Sequence, residues 1–181
     1  MVVAIRRYYD EVIQKISPII ASGASNSVIN RRLNALLAEM VRKTTTRIET
    51  AMQKSWEIAN ARNAAIVEQK YKGIDLPDKV KLALNNQRNT ARDQFIRRKD
   101  GGLNLSARVW NTAKQYRELI NEKVQEGIGE GRSSIKVAKE LRQAVNSPDP
   151  AKGPGQGVYR SPRKNTERLA RTEVNMSYRM S

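Results

Sequence analysis

From Asn26 to about Tyr71 the chain contains neither proline nor glycine. Those two residues cost a helix interior about 3 and about 1 kcal/mol relative to alanine, so their absence over such a span predicts one very long helix. Its apolar stripe runs through Ile29, Leu33, Leu37, Met40, Thr44, Ile48, Met52, Ser55, Ala59, Arg62 and Ile66, ten steps over 37 positions. A period near 3.7 exceeds the 3.5 of a heptad seam, so straight or faintly right-handed packing is expected instead of a left-handed coiled coil. At about 1.5 Å per residue such a helix approaches ~70 Å. Thr44-Thr45-Thr46 is its weakest point, because β-branched side chains lose rotamer freedom in a helix, and a bend or break there would be no surprise.

Shorter helices flank it. Ile5, Tyr9, Val12, Ile16 and Ile19 recur at helical spacing over residues 2–21, with Pro18 disturbing the last turn. Ser22-Gly23-Ala24-Ser25 reads as a turn, with Ser25 or Ser27 able to cap the long helix. Gly73 ends that helix and Pro77 opens the next, whose face through Val80, Leu82, Leu84, Ala91, Phe95 and Ile96 is patchy. Gly101-Gly102 reads as a flexible break and Ser106 as a helix cap. Val109, Trp110, Ala113, Tyr116, Ile120 and Val124 then form a clean stripe, ended by Gly127, Gly129 and Gly131. Ser133 or Ser134 caps a short helix through Val137, Leu141 and Val145. Residues 147–160 hold three of the six prolines and three of the ten glycines, the composition of a linker. Ser161-Pro162 is a strong start for a last helix: a hydroxyl to cap free N–H groups, then a proline where its missing N–H is harmless. No run has the two-residue period of a strand. The fold class is all-α and elongated, with long N-terminal helices (1–100, an interaction or stalk region) followed by a smaller helical C-terminal domain (101–181).

The chain has 181 residues, 39% hydrophobic, 5% aromatic, with a single Phe, thin material for one large core. The formal net charge is +16, spread as +6, +6 and +4 over residues 1–72, 73–146 and 147–181. No single basic tail accounts for it, so the whole body should attract polyanions, nucleic acid foremost. There is no Cys and no His, which excludes thiolate chemistry, imidazole bases and the usual zinc ligands. The N-terminus turns charged after five residues, unlike a signal peptide, and no apolar run reaches the roughly 18 residues of a membrane span, so a soluble chain is expected.

The polar last helix carries Arg171-Thr172-Glu173 followed by Asn175 and Tyr178. This stretch resembles the ARTE–N–Y helix of the phage head morphogenesis family, the minor head proteins typified by the F protein of phage Mu. Residues 110–145, with Gly127, Gly131, Arg132 and Ser133 at a turn and Leu141 on a short helix, resemble the segment that precedes that helix in the family. The likeness covers about 105–181. Family members usually continue past this helix into a segment with Cys, Asp and His; this sequence ends at Ser181, so no metal or catalytic function of that segment carries over.

The resemblance implies a structural minor head protein in the interior of a tailed-phage capsid, and in the host cytoplasm during assembly. Its partners would be the portal and/or major capsid protein and packaged double-stranded DNA, bound without sequence preference, in multiple copies and with no membrane. A phage-carried effector or nuclease-type enzyme fragment, or a DNA-compacting protein, are the competing classes. No catalytic residue, metal or cofactor is expected: a nuclease needs clustered acids to hold Mg²⁺, and Asp75 with Asp78, the nearest pair, reads as helix N-terminal charge. The glycines at 127, 129 and 131 lack the strand and Lys-Ser/Thr partner of a phosphate loop.

Six basic residues are candidates for DNA phosphate contact: Arg97, Arg98, Lys99, Arg160, Arg163 and Lys164. Arg171, Thr172, Glu173, Asn175 and Tyr178 are expected to be structural, with Glu173 in a buried or semi-buried ion pair to Arg168 or to Arg171's neighbours on adjoining helices, since Arg171 itself lies two residues away and does not face it. Trp110 sits on its stripe and reads as core. Trp56 lies beside the stripe of Met52, Ser55 and Ala59, and is the candidate for a protein contact.

Overall fold

The computed structural model describes residues 1–70, 72, 77–146 and 161–181, with the backbone alone at 84, 85 and 144–146. Six helices follow one another: α1 (Val2–Ala21), α2 (Asn26–Lys70), α3 (Asp78–Arg97), α4 (Leu105–Gly129), α5 (Ser134–Asn146) and α6 (Pro162–Met180). Among the described residues there is no strand, only one isolated bridge between Asp100 and Leu103. The all-α fold follows from the 3.6-residue periodicities.

The long helix is real: α2 runs 45 residues, about 67 Å at 1.5 Å per residue. It passes unbroken through Thr44-Thr45-Thr46, the point of weakest helix propensity. Thr44 and Thr45 are buried, so tertiary packing outweighs their poor helix propensity. The stripe is buried from Ile29 to Ala59, with Ser55 half-buried, and Val41, Thr45 and Trp56 add a second buried row on one flank. Arg62 and Ile66 continue the spacing but are exposed. Among the described residues none buries that end, and periodicity alone does not reveal where the neighbours stop.

The neighbours are α1, α4 and α6, all packed on α2, with α3 touching it less extensively, while α5 closes on α1 and α4. One apolar cluster runs through Ile5, Ile16, Leu33, Ile48, Val109, Ile120, Leu141 and Ala170. It crosses residue 100, so the segments 1–100 and 101–181 share a core. The linker at 147–160, like Gly73, Asp75 and Arg160, lies outside the described residues.

Local chemistry sets several junctions. Pro18 sits inside α1, which still reaches Ala21. Asn104, not Ser106, caps α4: its side chain accepts from Ala107 N at 2.8 Å. Gly101 (φ 57°) and Gly102 (φ 80°) form a two-residue reversal closed by Asp100 N to Leu103 O (2.9 Å) and Leu103 N to Asp100 O (3.1 Å). Both φ values are positive, which glycine alone adopts freely. The expected loose break is thus a tight turn that lays residues 98–100 beside α4.

α4 runs through Gly127 and ends in a paired cap. Gly131 N bonds Ile128 O at 3.1 Å and Arg132 N bonds Gly127 O at 2.9 Å, with Gly131 left-handed at φ 64°, the Schellman arrangement. Ser133 Oγ accepts from Lys136 N at 3.3 Å and starts α5. Ser161 Oγ accepts from Lys164 N at 3.4 Å, with Pro162 in the first turn of α6.

Candidate functional site

α6 divides its charges by face. Its two acids, Glu167 and Glu173, are buried, and its inward face is completed by Thr166, Ala170 and Ser177. Lys164, Arg168, Arg171, Asn175 and Arg179 are all exposed, and their spacings of four, three, four and four put them in one row along the outer face.

Each buried acid is held by arginines from elsewhere. Arg98 Nη2 donates to Glu173 Oε2 at 2.9 Å, and Arg108 Nη1 to Glu173 Oε1 at 2.8 Å. Arg108 also bonds Asp100 at 3.0 Å, and Arg98 lies over the Phe95 ring, 3.7 Å from its centroid. Glu173 therefore ties α6 to the end of α3, to the glycine turn and to α4. At Glu167 the Arg6 fork binds both oxygens, at 2.8 and 3.2 Å. Arg171 stands 3.6 Å away and Arg163 3.9 Å, the latter also 4.0 Å from Asp10. This pair ties α6 to α1. Buried carboxylates stay charged only with such partners.

Between the two acids lies a knot of hydroxyls. Tyr9 OH and Thr166 Oγ1 are 2.6 Å apart, and Thr166 and Thr112 hydroxyls 2.7 Å. Tyr116 OH donates to Tyr9 O at 3.1 Å, and the two rings pack at 4.8 Å. Burial pushes both phenols up, Tyr9 above the ordinary value and Tyr116 well above it. Further along α6, Ser177 Oγ donates to Met52 O (2.6 Å) and Ser55 Oγ to Val174 O (3.1 Å). Arg62 donates to Tyr178 OH at 3.0 Å. An open hollow of about 350 Å³ lies between α4 and α6, lined by Asp100, Arg108, Thr112, Arg168 and Thr172 among others.

Comparison with protein-family models, curated proteins and solved structures finds no match.

The structure redistributes the residues singled out in the sequence. Glu173 is the buried ion-paired acid expected, but its partners are Arg98 and Arg108. Arg98, a candidate for phosphate contact, is spent on Glu173. Arg163 is turned inward with 20% of its side chain exposed, facing Asp10 and Glu167. Both are reassigned to packing, since a guanidinium held by a buried carboxylate is not free for a phosphate. Arg97, Lys99 and Lys164 are exposed; Arg160 lies outside the described residues. Trp56 is 4% exposed and packs 5.7 Å from the Phe95 ring, so it belongs to the interior and not to a protein contact: α3 returns across it. Trp110 is half-buried against the core. Thr172 and Asn175 are exposed on α6, and Tyr178 is 38% exposed. The sequence reading missed Glu167, Arg6 and Arg108, and it missed the outward row of Arg168 and Arg179. The four-residue spacing of that row was available in the sequence; the burial of the intervening acids was not. Among the described residues no three Asp or Glu stand together as a metal site, and no helix is long and apolar enough to cross a membrane.

Proposed function

We propose that the chain is a structural minor head protein of a tailed bacteriophage, an internal capsid component that docks on the portal or coat and meets packaged DNA without reading its sequence. It acts as a helical scaffold and not as an enzyme. The observation that carries this is the fate of the Arg171-Thr172-Glu173 helix. Its acids are consumed in binding α6 to α1, α4 and the turn after α3, which is what a structural motif does and leaves no free carboxylate on that helix for chemistry. The resemblance of residues 105–181 to the phage head morphogenesis family supplies the address. The +16 charge suits a protein that works beside densely packed phosphate.

Mass spectrometry of purified virions from the phage that encodes the chain tests the address. The peptides should be present at several copies per particle and survive washing of the capsid exterior. Their absence removes the reading. A magnesium-dependent nicking assay on supercoiled DNA should show no cleavage; cleavage would transfer the protein to the enzyme class.

A further inference from the structure

We infer that the outer face of α6 is the surface that holds duplex DNA, with Lys164, Arg168 and Arg179 as its phosphate contacts and Arg171, 3.6 Å from Glu167, adding charge between them; this rests on the reading above that the chain meets DNA. The argument is one of sign. Every other helix carries a carboxylate at least a quarter exposed: Glu11 at 26%, Glu39 at 41%, Asp93 at 52%, Glu126 at 31% and Glu140 at 30% on α1 to α5. On α6 the two acids are 6% and 1% exposed. A phosphate approaching any other helix meets carboxylates among the cations. Along α6 it meets cations alone, with Asn175 as the one neutral member of the row. Lys164, Arg168 and Arg179 have no carboxylate partner among the described residues.

Length fits as well. Lys164 to Arg179 is fifteen residues, about 22 Å of helix, which matches about six phosphates of one DNA strand at 3.4 Å each. Asp10 beside Arg163 on one flank and Asp100 beside Arg108 on the other border the row with negative charge and confine a polyanion to it. The row presents no apolar side chains between its cations, so it lacks the face that seats a helix in a lipid surface. Its one exposed ring is Tyr178, whose hydroxyl accepts from Arg62 at 3.0 Å, and a single ring is no platform for successive unstacked bases. Duplex backbone is the polyanion left.

The test is binding of a short mixed-sequence duplex, titrated from about 50 to 200 mM salt. The triple variant Lys164→Gln, Arg168→Gln, Arg179→Gln removes three contacts. Its salt slope should become shallower by about 2.7, from 0.9 per phosphate, with at least a tenfold loss of affinity at low salt. A triple variant of equal charge on α2, Arg31→Gln, Arg42→Gln, Lys54→Gln, should change the slope by less than one. Arg168→Lys with Arg179→Lys should bind like wild type and show that charge at these positions, not helix integrity, is read. Equal losses in the two triple variants overturn the inference while leaving DNA binding intact. Wild type that fails to bind duplex at all overturns the DNA reading itself. Wild type that binds vesicles of equal phosphatidylserine and phosphatidylcholine through the same three residues, and more tightly than duplex, overturns the choice of DNA as occupant.

Discussion

Gly127 shows how a single hydrogen can set a helix–helix distance. A Cβ placed there would lie 2.1 Å from Val137 Cγ2, so α5 sits against α4 only because that side chain is missing. Gly127→Ala gains about 1 kcal/mol of helix propensity but must push α5 away, an overpacking cost of about 1–3 kcal/mol that should dominate. Urea unfolding should show net destabilisation by about 1 kcal/mol or more. Val137→Ala in the Gly127→Ala background should recover part of it, a coupling that a purely local backbone effect would not produce. The tyrosine pair makes a second residue-scale prediction. Burial raises both phenols, so the unfolded chain loses those protons first as pH passes the ordinary value of 10. The folded state then binds more protons than the unfolded, and stability must fall as pH rises. Below pH 10 the contribution is complete; above it each tyrosine removes up to about 1.4 kcal/mol per pH unit. Denaturant midpoints at pH 9 and 11 should diverge in wild type and converge in Tyr9→Phe with Tyr116→Phe.

At the scale of the element, α6 is held less by oil than by charge. Its buried set is Pro162, Thr166, Glu167, Ala170, Glu173 and Ser177, and only Ala170 belongs to the apolar cluster. The helix is docked by acids whose partners come from α1, the end of α3 and α4. Glu173→Gln would leave Arg98 without a counter-charge and Arg108 with only the exposed Asp100, in a site where the two arginines are 24% and 14% exposed. Removing one member of a buried pair costs about 3–5 kcal/mol, and partial exposure places this case at about 3 kcal/mol. Arg98→Gln should cost less, because Arg108 still covers the carboxylate. If thermal unfolding ranks these two variants the other way, Glu173 is not the centre of the latch. This architecture was half legible. The cap at Ser161-Pro162 and the need for Glu173 to find a cation follow from residue types. Which cation does not, because Arg98 is 75 residues away in the chain and is delivered by a two-glycine turn whose closure depends on tertiary packing. The same turn explains why Arg98 looked like one of three equivalent surface cations: sequence reports a cluster, and only the fold separates its inward member from Arg97 and Lys99.

Over the whole molecule, the long helix and its cover do not match in length. α2 buries its stripe through Ala59, where α1, α4 and α6 cover it, and then runs on with every residue from 61 to 70 exposed. The spacing of Arg62 and Ile66 continued the stripe faithfully, so the helix itself was legible; the end of its cover was not, since that depends on how far α6 reaches. Arg62 with Tyr178 and Asn63 with Ser181 tie the start of this segment to the end of α6 and to the residue after it. Beyond them the described residues of the helix are all exposed, and a segment of this length with little packing is marginal in water. Opening there exposes little more than the covered halves of Ile66 and Val67, so its free energy should be far below the global value. Hydrogen exchange followed by mass spectrometry should therefore split α2 in two: amides from 29 to 59 exchanging only through global unfolding, and amides from 64 to 70 exchanging faster by about a hundredfold or more. The boundary should move toward Trp56 in a variant truncated before Tyr178, because α6 is what extends the cover. A uniform protection along α2 would mean that its exposed end is covered in solution and would overturn this reading.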